Sequence, residues 1–160
     1  MGEPALKSSQ NYAVKESING MMASIKGIIP IEISFGPPSL IQSAFHQRDI
    51  GVLIGLTGDL GGQVLIEGDL DAFSSVAEVM FGMKVEGEML ESFVGEFGNM
   101  VSGNMATHIS NSDIILNISP PTVVVGGSKF TAFEKGIKMS VTFNTDKVIN
   151  IIMMMKKESE

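Results

Sequence analysis

Glu96 and Asn99 stand three residues apart in the segment EMLESFVGEFGNMVSGNMATHIS. On a helix, that spacing puts both side chains on one side, a turn apart. A carboxamide both accepts and donates hydrogen bonds, so it can hold a water in a set direction without being a strong base. A neighbouring carboxylate can pair with a cation and fix the register of a docked partner. It could also act as a base, although an ordinary glutamate is weakly basic at neutral pH.

The other reactive side chains form no such constellation. There are two histidines, His46 and His108, and no cysteine. No H-x-x-x-H or H-E-x-x-H pattern occurs, which disfavours a metal held by the chain, and thiolate chemistry is excluded. His46 lies in a polar turn, HQRD, where a surface role is expected. His108 falls on the apolar side of the long segment, where a core or boundary role is expected. The Gly-rich stretch GLTGDLGG at 55–62 lacks the spacing of a dinucleotide or phosphate loop and reads as a hairpin turn. Met21, Met22 and the Met cluster at 153–155 read as core or interface fillers. Thr122, Ser128 and Lys129 could rim a docking surface, but no spacing demands it.

Composition bounds the remaining choices. The chain has 160 residues, 44% of them apolar and 18% charged, which suits one globular core and excludes global disorder. Its formal net charge is −7, and no basic patch is visible, so neither nucleic acid nor anionic lipid is an expected partner. The longest apolar candidate for a membrane span, near 149–155, is short and interrupted by Asn150. The N-terminus shows no apolar signal core. A soluble cytoplasmic domain is expected.

Several elements must position the Glu96–Asn99 pair. Residues 1–10 read as a loose tail, and 11–27 as a helix through Val14, Ile18, Met21, Met22 and Ile25. Residues 28–45 read as extended and broken by Pro37 and Pro38. Runs at 50–57 and 63–67 flank the Gly-rich turn as a hairpin. A helix follows at about 72–82, with Asp69 or Asp71 as a possible cap and Gly82 as its stop. The long helix covers about 88–110, and strands follow near 114–118, 120–127, 136–144 and 148–155. The last run, VINIIMMM, must be covered on both faces or lie against another subunit. The pattern predicts one α/β domain over residues 11–157, with a largely antiparallel sheet packed on helices.

With Glu96 as origin and about 100° per residue, Leu90, Phe93, Phe97, Met100, Val101 and His108 fall between about 40° and 140°. Ser92, Glu96, Asn99, Gly103, Ala106 and Ser110 fall between about −80° and 0°. The strip around the polar pair is therefore built of small residues, where a solvated helix favours Lys, Glu and Gln. Gly95, Gly98 and Gly103 each cost about 1 kcal/mol relative to Ala. Close approach of a second backbone would compensate. Two readings fit: a surface that meets another protein, or an internal helix contact with Asn99 as a buried hydrogen-bonder.

The segment GEFGNMVSGNMATHIS, with NISPPTVVVGG at 117–127 after it, resembles the CheC/CheX/FliY family of chemotaxis phosphatases. The resemblance spans about residues 12–156 and is nearest to the single-site CheX type. It implies a CheC-like domain with one long signature helix, and catalytic residues at Glu96 and Asn99. The implied substrate is the phosphoaspartate of a CheY-like response-regulator receiver. Asn99 would orient the attacking water, much as a glutamine does in GTPases, and Glu96 would pair with the receiver's lysine. No cofactor of its own is implied, because the receiver would hold the Mg2+. A homodimer joined sheet edge to sheet edge is also implied. A non-catalytic protein that binds a partner or only dimerises is the alternative. The first helix carries a second E-x-x-N, Glu16 and Asn19, without the small-residue context, so a capping or surface role is the plainer expectation there.

Overall fold

The computed structural model describes residues 2–42, 44–131, 133–144 and 146–156, with side chains from Asn11 onward. In chain order the elements are α1 (Gly2–Ile28), β1 (Ser34–Phe35), β2 (Ser39–Ile41), β3 (Phe45–Gln47), β4 (Ile50–Gly58) and β5 (Gly62–Gly68). Then come α2 (Leu70–Phe81), α3 (Gly87–Ser110), β6 (Leu116–Ile118), β7 (Thr122–Val125), β8 (Ser128–Phe130), β9 (Lys135–Phe143) and β10 (Lys147–Met155). The backbone of residues 2–10 continues α1, where the sequence pattern suggested a tail. Residues 157–160, at the end of the charged KKESE run, lie outside the described residues.

The main sheet is antiparallel, in the order β1-β9-β10-β5-β4-β6. β2 also pairs with β9, and β7 with β4. The three helices lie against one face, where alternate strand residues such as Val52, Ile54, Val64, Ile66, Met139, Val141, Ile151 and Met153 join the helical residues in one core. The opposite face holds a smaller cluster of Leu65, Ile152 and Met154, covered by Ile41, Phe45, Leu53, Phe130 and Phe133. β10 is thus central, and the chain itself covers both of its faces. Its apolar run needs no second subunit.

On that opposite face a polar chain fixes one corner of the sheet. The buried Glu67 carboxylate accepts hydrogen bonds from the Arg48 N–H (2.8 Å) and from Asn150 Nδ2 (2.7 Å). Asn150 Oδ1 accepts one from Ser140 Oγ (2.8 Å). Next to them Gln47 Nε2 donates to the carbonyls of Val124 (2.8 Å) and Gly126 (2.9 Å), which ties β7 to the β3–β4 corner.

α2 starts at Asp69, whose backbone takes the extended N-cap conformation but whose carboxylate caps nothing. Asp49 accepts the Leu70 N–H instead (3.1 Å), and Asp69 lies 3.4 Å from Arg48 Nη1. Asp71 pairs with Lys147, whose ammonium holds the Asp71 carboxyl below the usual carboxylate range. Gly82 ends the helix at φ 75°, in the left-handed region expected of a glycine stop.

α3 is gripped from two sides. On α1 the small residues Ala13, Ser17, Gly20 and Ser24 recur along one buried row. A Cβ on Gly20 would come within 2.7 Å of Ile109 Cγ2 and 3.3 Å of the Met105 carbonyl. Ser24 Oγ donates to the Val101 carbonyl at 2.8 Å. On the sheet side, Gly98 meets the fully buried Val52 and Gly95 meets Val123, with Gly103 looser against Ile118. The glycines of α3 therefore make room for strand side chains, where the sequence suggested a second backbone. Gly98→Ala would force its methyl into Val52, and overpacking of this kind costs about 1–3 kcal/mol. Denaturant unfolding should show that loss in the wild-type background and a smaller one with Val52→Ala, which removes the overlapping methyls.

Candidate active site

The packing of α3 decides which of its residues face outward. Leu90, Phe93, Val94, Gly95, Phe97, Gly98, Val101, Ser102, Met105 and Ile109 are buried. Glu96 and Ser92 are exposed, while Asn99, Gly103 and Ala106 are half-buried along the rim. Neither Glu96 nor Asn99 has a hydrogen-bond or ion-pair partner among the described residues. The internal contact of α3 with α1 uses the Val101 carbonyl, Met105 and Ile109. Asn99 is no part of it, so the reading of this strip as an internal helix contact fails.

Helix geometry adds a local reason for the glycines. Gly95 and Gly103 lie four residues to either side of Asn99, so no side chain rises above or below it on its own row. The Val123 and Ile118 side chains of the sheet lie against those two glycines, and the carboxamide stands half-buried at the rim. Glu96 stands beside it, with Cβ atoms about 5–6 Å apart for an i,i+3 pair.

The other candidates separate from this strip. Glu16 accepts a hydrogen bond from Ser112 Oγ (2.8 Å), a tie between α1 and the end of α3, while Asn19 is exposed. His46 lies exposed in β3. His108 is exposed in the last turn of α3, where its wheel position suggested a core or boundary role. Thr122 is exposed at the start of β7, next to the Val123 that seats Gly95. Ser128 and Lys129 belong to β8, which pairs with β3 and sends Phe130 to the opposite sheet face. They do not share the strip. Met89 was not singled out by the sequence pattern. It is 65% exposed and lies two turns before Glu96 on the same side, a signal present in the wheel.

Among the described residues no group of three or more His, Cys, Asp or Glu could hold a metal ion. No described helix is long and apolar enough to cross a membrane.

The family model for chemotaxis phosphatase CheX matches residues 50–146, more than half of the chain. The chain belongs to the CheX family. It is 26% identical over 147 residues to the CheY-P phosphatase CheX of Thermotoga maritima, covering 89% of this chain and 95% of that one. A CheC-like superfamily protein from Shewanella sp. PV-4 superposes with TM-score 0.74 at 22% identity, over 91% of this chain and 97% of the other. A CheX from Borrelia burgdorferi, crystallised with CheY, beryllium fluoride and magnesium, gives TM-score 0.74 at 18% identity, over 90% and 97%. These likenesses establish the CheC-like fold. The matched region of this CheX-family chain runs from β4 to the turn before β10, so it includes the whole of α3.

Because Glu96 and Asn99 make no contact that folding depends on, Glu96→Gln and Asn99→Ala should each unfold within about 0.5 kcal/mol of wild type. Thermal and denaturant unfolding check this. A large loss in either would give that residue a structural role.

Proposed function

We propose that this CheX-family chain is a phosphatase for the phosphoaspartate of a CheY-like response-regulator receiver, with Glu96 and Asn99 as its active-site pair. The observation that carries the reading is that Glu96 is exposed and Asn99 half-exposed on one side of a closely packed helix, with no hydrogen-bond or ion-pair partner among the described residues. The name of the Thermotoga relative and the CheY bound in the Borrelia structure support the same substrate class.

The reaction asks little of the chain beyond placement. An aspartyl phosphate is already electrophilic, and what it lacks is a water held in line. The water oxygen forms a bond to phosphorus as the bond to the aspartyl oxygen breaks. The carboxylate leaves with the electron pair, and the water's proton stays with inorganic phosphate. The Asn99 carboxamide oxygen accepts a hydrogen bond from that water and sets its direction. Glu96 pairs with the receiver's active-site lysine and fixes the docking register. The Mg2+ that neutralises the phosphoryl oxygens is held by the receiver, not by this chain.

Assembly and location belong to the same reading. β7 is paired only on its β4 side among the described residues, so a second copy can extend the sheet there into a homodimer. The protein acts in the cytoplasm, with its receiver. Light scattering at micromolar concentration should give twice the monomer mass, and a monomeric mass would contradict the dimer.

Phosphorylated receivers from the same genome, mixed with the protein, provide the test of function. Wild type should accelerate phosphoryl decay for at least one. Asn99→Ala should lower kcat about 100-fold with little change in KM, because the contact it removes forms in the transition state. Glu96→Gln should raise KM about fivefold, and more at low salt. No acceleration of any receiver would leave a binding protein in place of an enzyme.

A further inference from the structure

α3 carries an apolar ridge beside the polar pair. Met89 is 65% exposed and lies seven residues before Glu96, so the two are stacked along one line of the helix. Phe81, at the end of α2, is 59% exposed, and its ring packs edge-on against Phe93 at 5.6 Å between centroids. Phe93 is four residues after Met89 and three before Glu96, so Phe81 and Met89 flank the same ring. Met100, half-buried, continues the line one turn past Glu96. Glu96 therefore stands on a border, with large apolar side chains on one side and the small-residue trough of Ser92, Asn99 and Gly103 on the other.

Among the described residues Phe81 and Met89 of the ridge both stay more than half exposed. A phenylalanine that packs on Phe93 and a methionine one turn before it on the same helix, near the proposed site, mark a contact surface, and methionine adapts readily to a partner's contour. Charge selects what the ridge meets. The chain carries −7, and Glu86, Glu88 and Glu91 are exposed around the first turns of α3. A receiver pocket that holds Mg2+ is itself lined with carboxylates. Long-range attraction then contributes little to docking, and an uncharged contact must add to the short-range pairing of Glu96 with the receiver's lysine.

We infer that Met89 and Phe81 form the apolar anchor that seats the receiver, against an uncharged apolar patch beside its phosphorylation pocket. The inference rests on the phosphatase reading above. It divides the work: the ridge adds affinity to that of the Glu96 pairing, while Asn99 sets the rate of the chemical step.

Steady-state dephosphorylation of the cognate receiver, with a small-molecule phosphodonor present, tests this. Met89→Ser should raise KM about tenfold, the order expected for withdrawing one thioether side chain from an interface, with kcat within twofold of wild type. Met89→Leu should keep the wild-type KM, because it keeps the apolar contact. Leu40→Ser removes a side chain 60% exposed on β2, at the far edge of the sheet, and should change neither constant. Unfolding curves that match wild type exclude a folding defect. An active wild type whose KM is unmoved by Met89→Ser, or raised equally by Leu40→Ser, overturns the anchor alone. A wild type inactive on every receiver overturns the phosphatase reading and the anchor with it.

Discussion

The close seating of α3 on the sheet, through Gly98 against Val52, is the constraint on which the site depends. A helix turns about 100° per residue, so the face buried at position 98 fixes where 96 and 99 point. With Gly95 and Gly98 toward the strands and Val101, Met105 and Ile109 toward the core and α1, the buried arc covers roughly 200°. What remains is an outward arc of about 160°, and Glu96 and Asn99 lie on it. Any side chain at 98 would lift or roll the helix and carry both groups away from a partner's reacting atom.

The supports of that contact reach across the molecule. β7 supplies Val123 under Gly95, and Gln47 holds β7 from the opposite face through the Val124 and Gly126 carbonyls. A Cβ on Gly51 would run into that Gln47 side chain, so a glycine in mid-strand serves the helix on the other side of the sheet. On the α1 side, the small row from Ala13 to Ser24 lets two helices approach closely, and the Ser24–Val101 hydrogen bond fixes their register. The packing fixes orientation, and among the described residues neither proposed site residue makes an internal hydrogen bond or ion pair.

Much of this was legible in the sequence, and the omissions have physical reasons. The hairpin at β4–β5, both later helices, β9 and β10 follow from hydrophobic spacing and Gly punctuation, which are local signals. That Glu96 and Asn99 share one side of α3 was legible because helical periodicity converts spacing directly into facing, while the sequence left open whether that side meets a partner or another element of the chain. The short strands β3 and β8 were not, since three residues carry no period. The two meanings of small residues on a helix were also inseparable. The row on α1 marks an internal contact and the strip on α3 marks an outward one, and only burial tells them apart. His108 and the uncovered Met89 show the same limit: the wheel gives an angle, while the neighbouring elements decide what covers it.

In the proposed mechanism α3 presents Asn99 to a water in line with a receiver's phosphoryl group. A crystal structure of this chain with its cognate receiver, loaded with beryllium fluoride and Mg2+, tests that claim directly. α3 should enter the receiver's phosphorylation pocket, with the Asn99 carboxamide within about 3 Å of a water, or of the place for one, opposite the aspartyl oxygen. A complex in which Asn99 faces away from the beryllium fluoride, or in which another face of the chain meets the receiver, would contradict it.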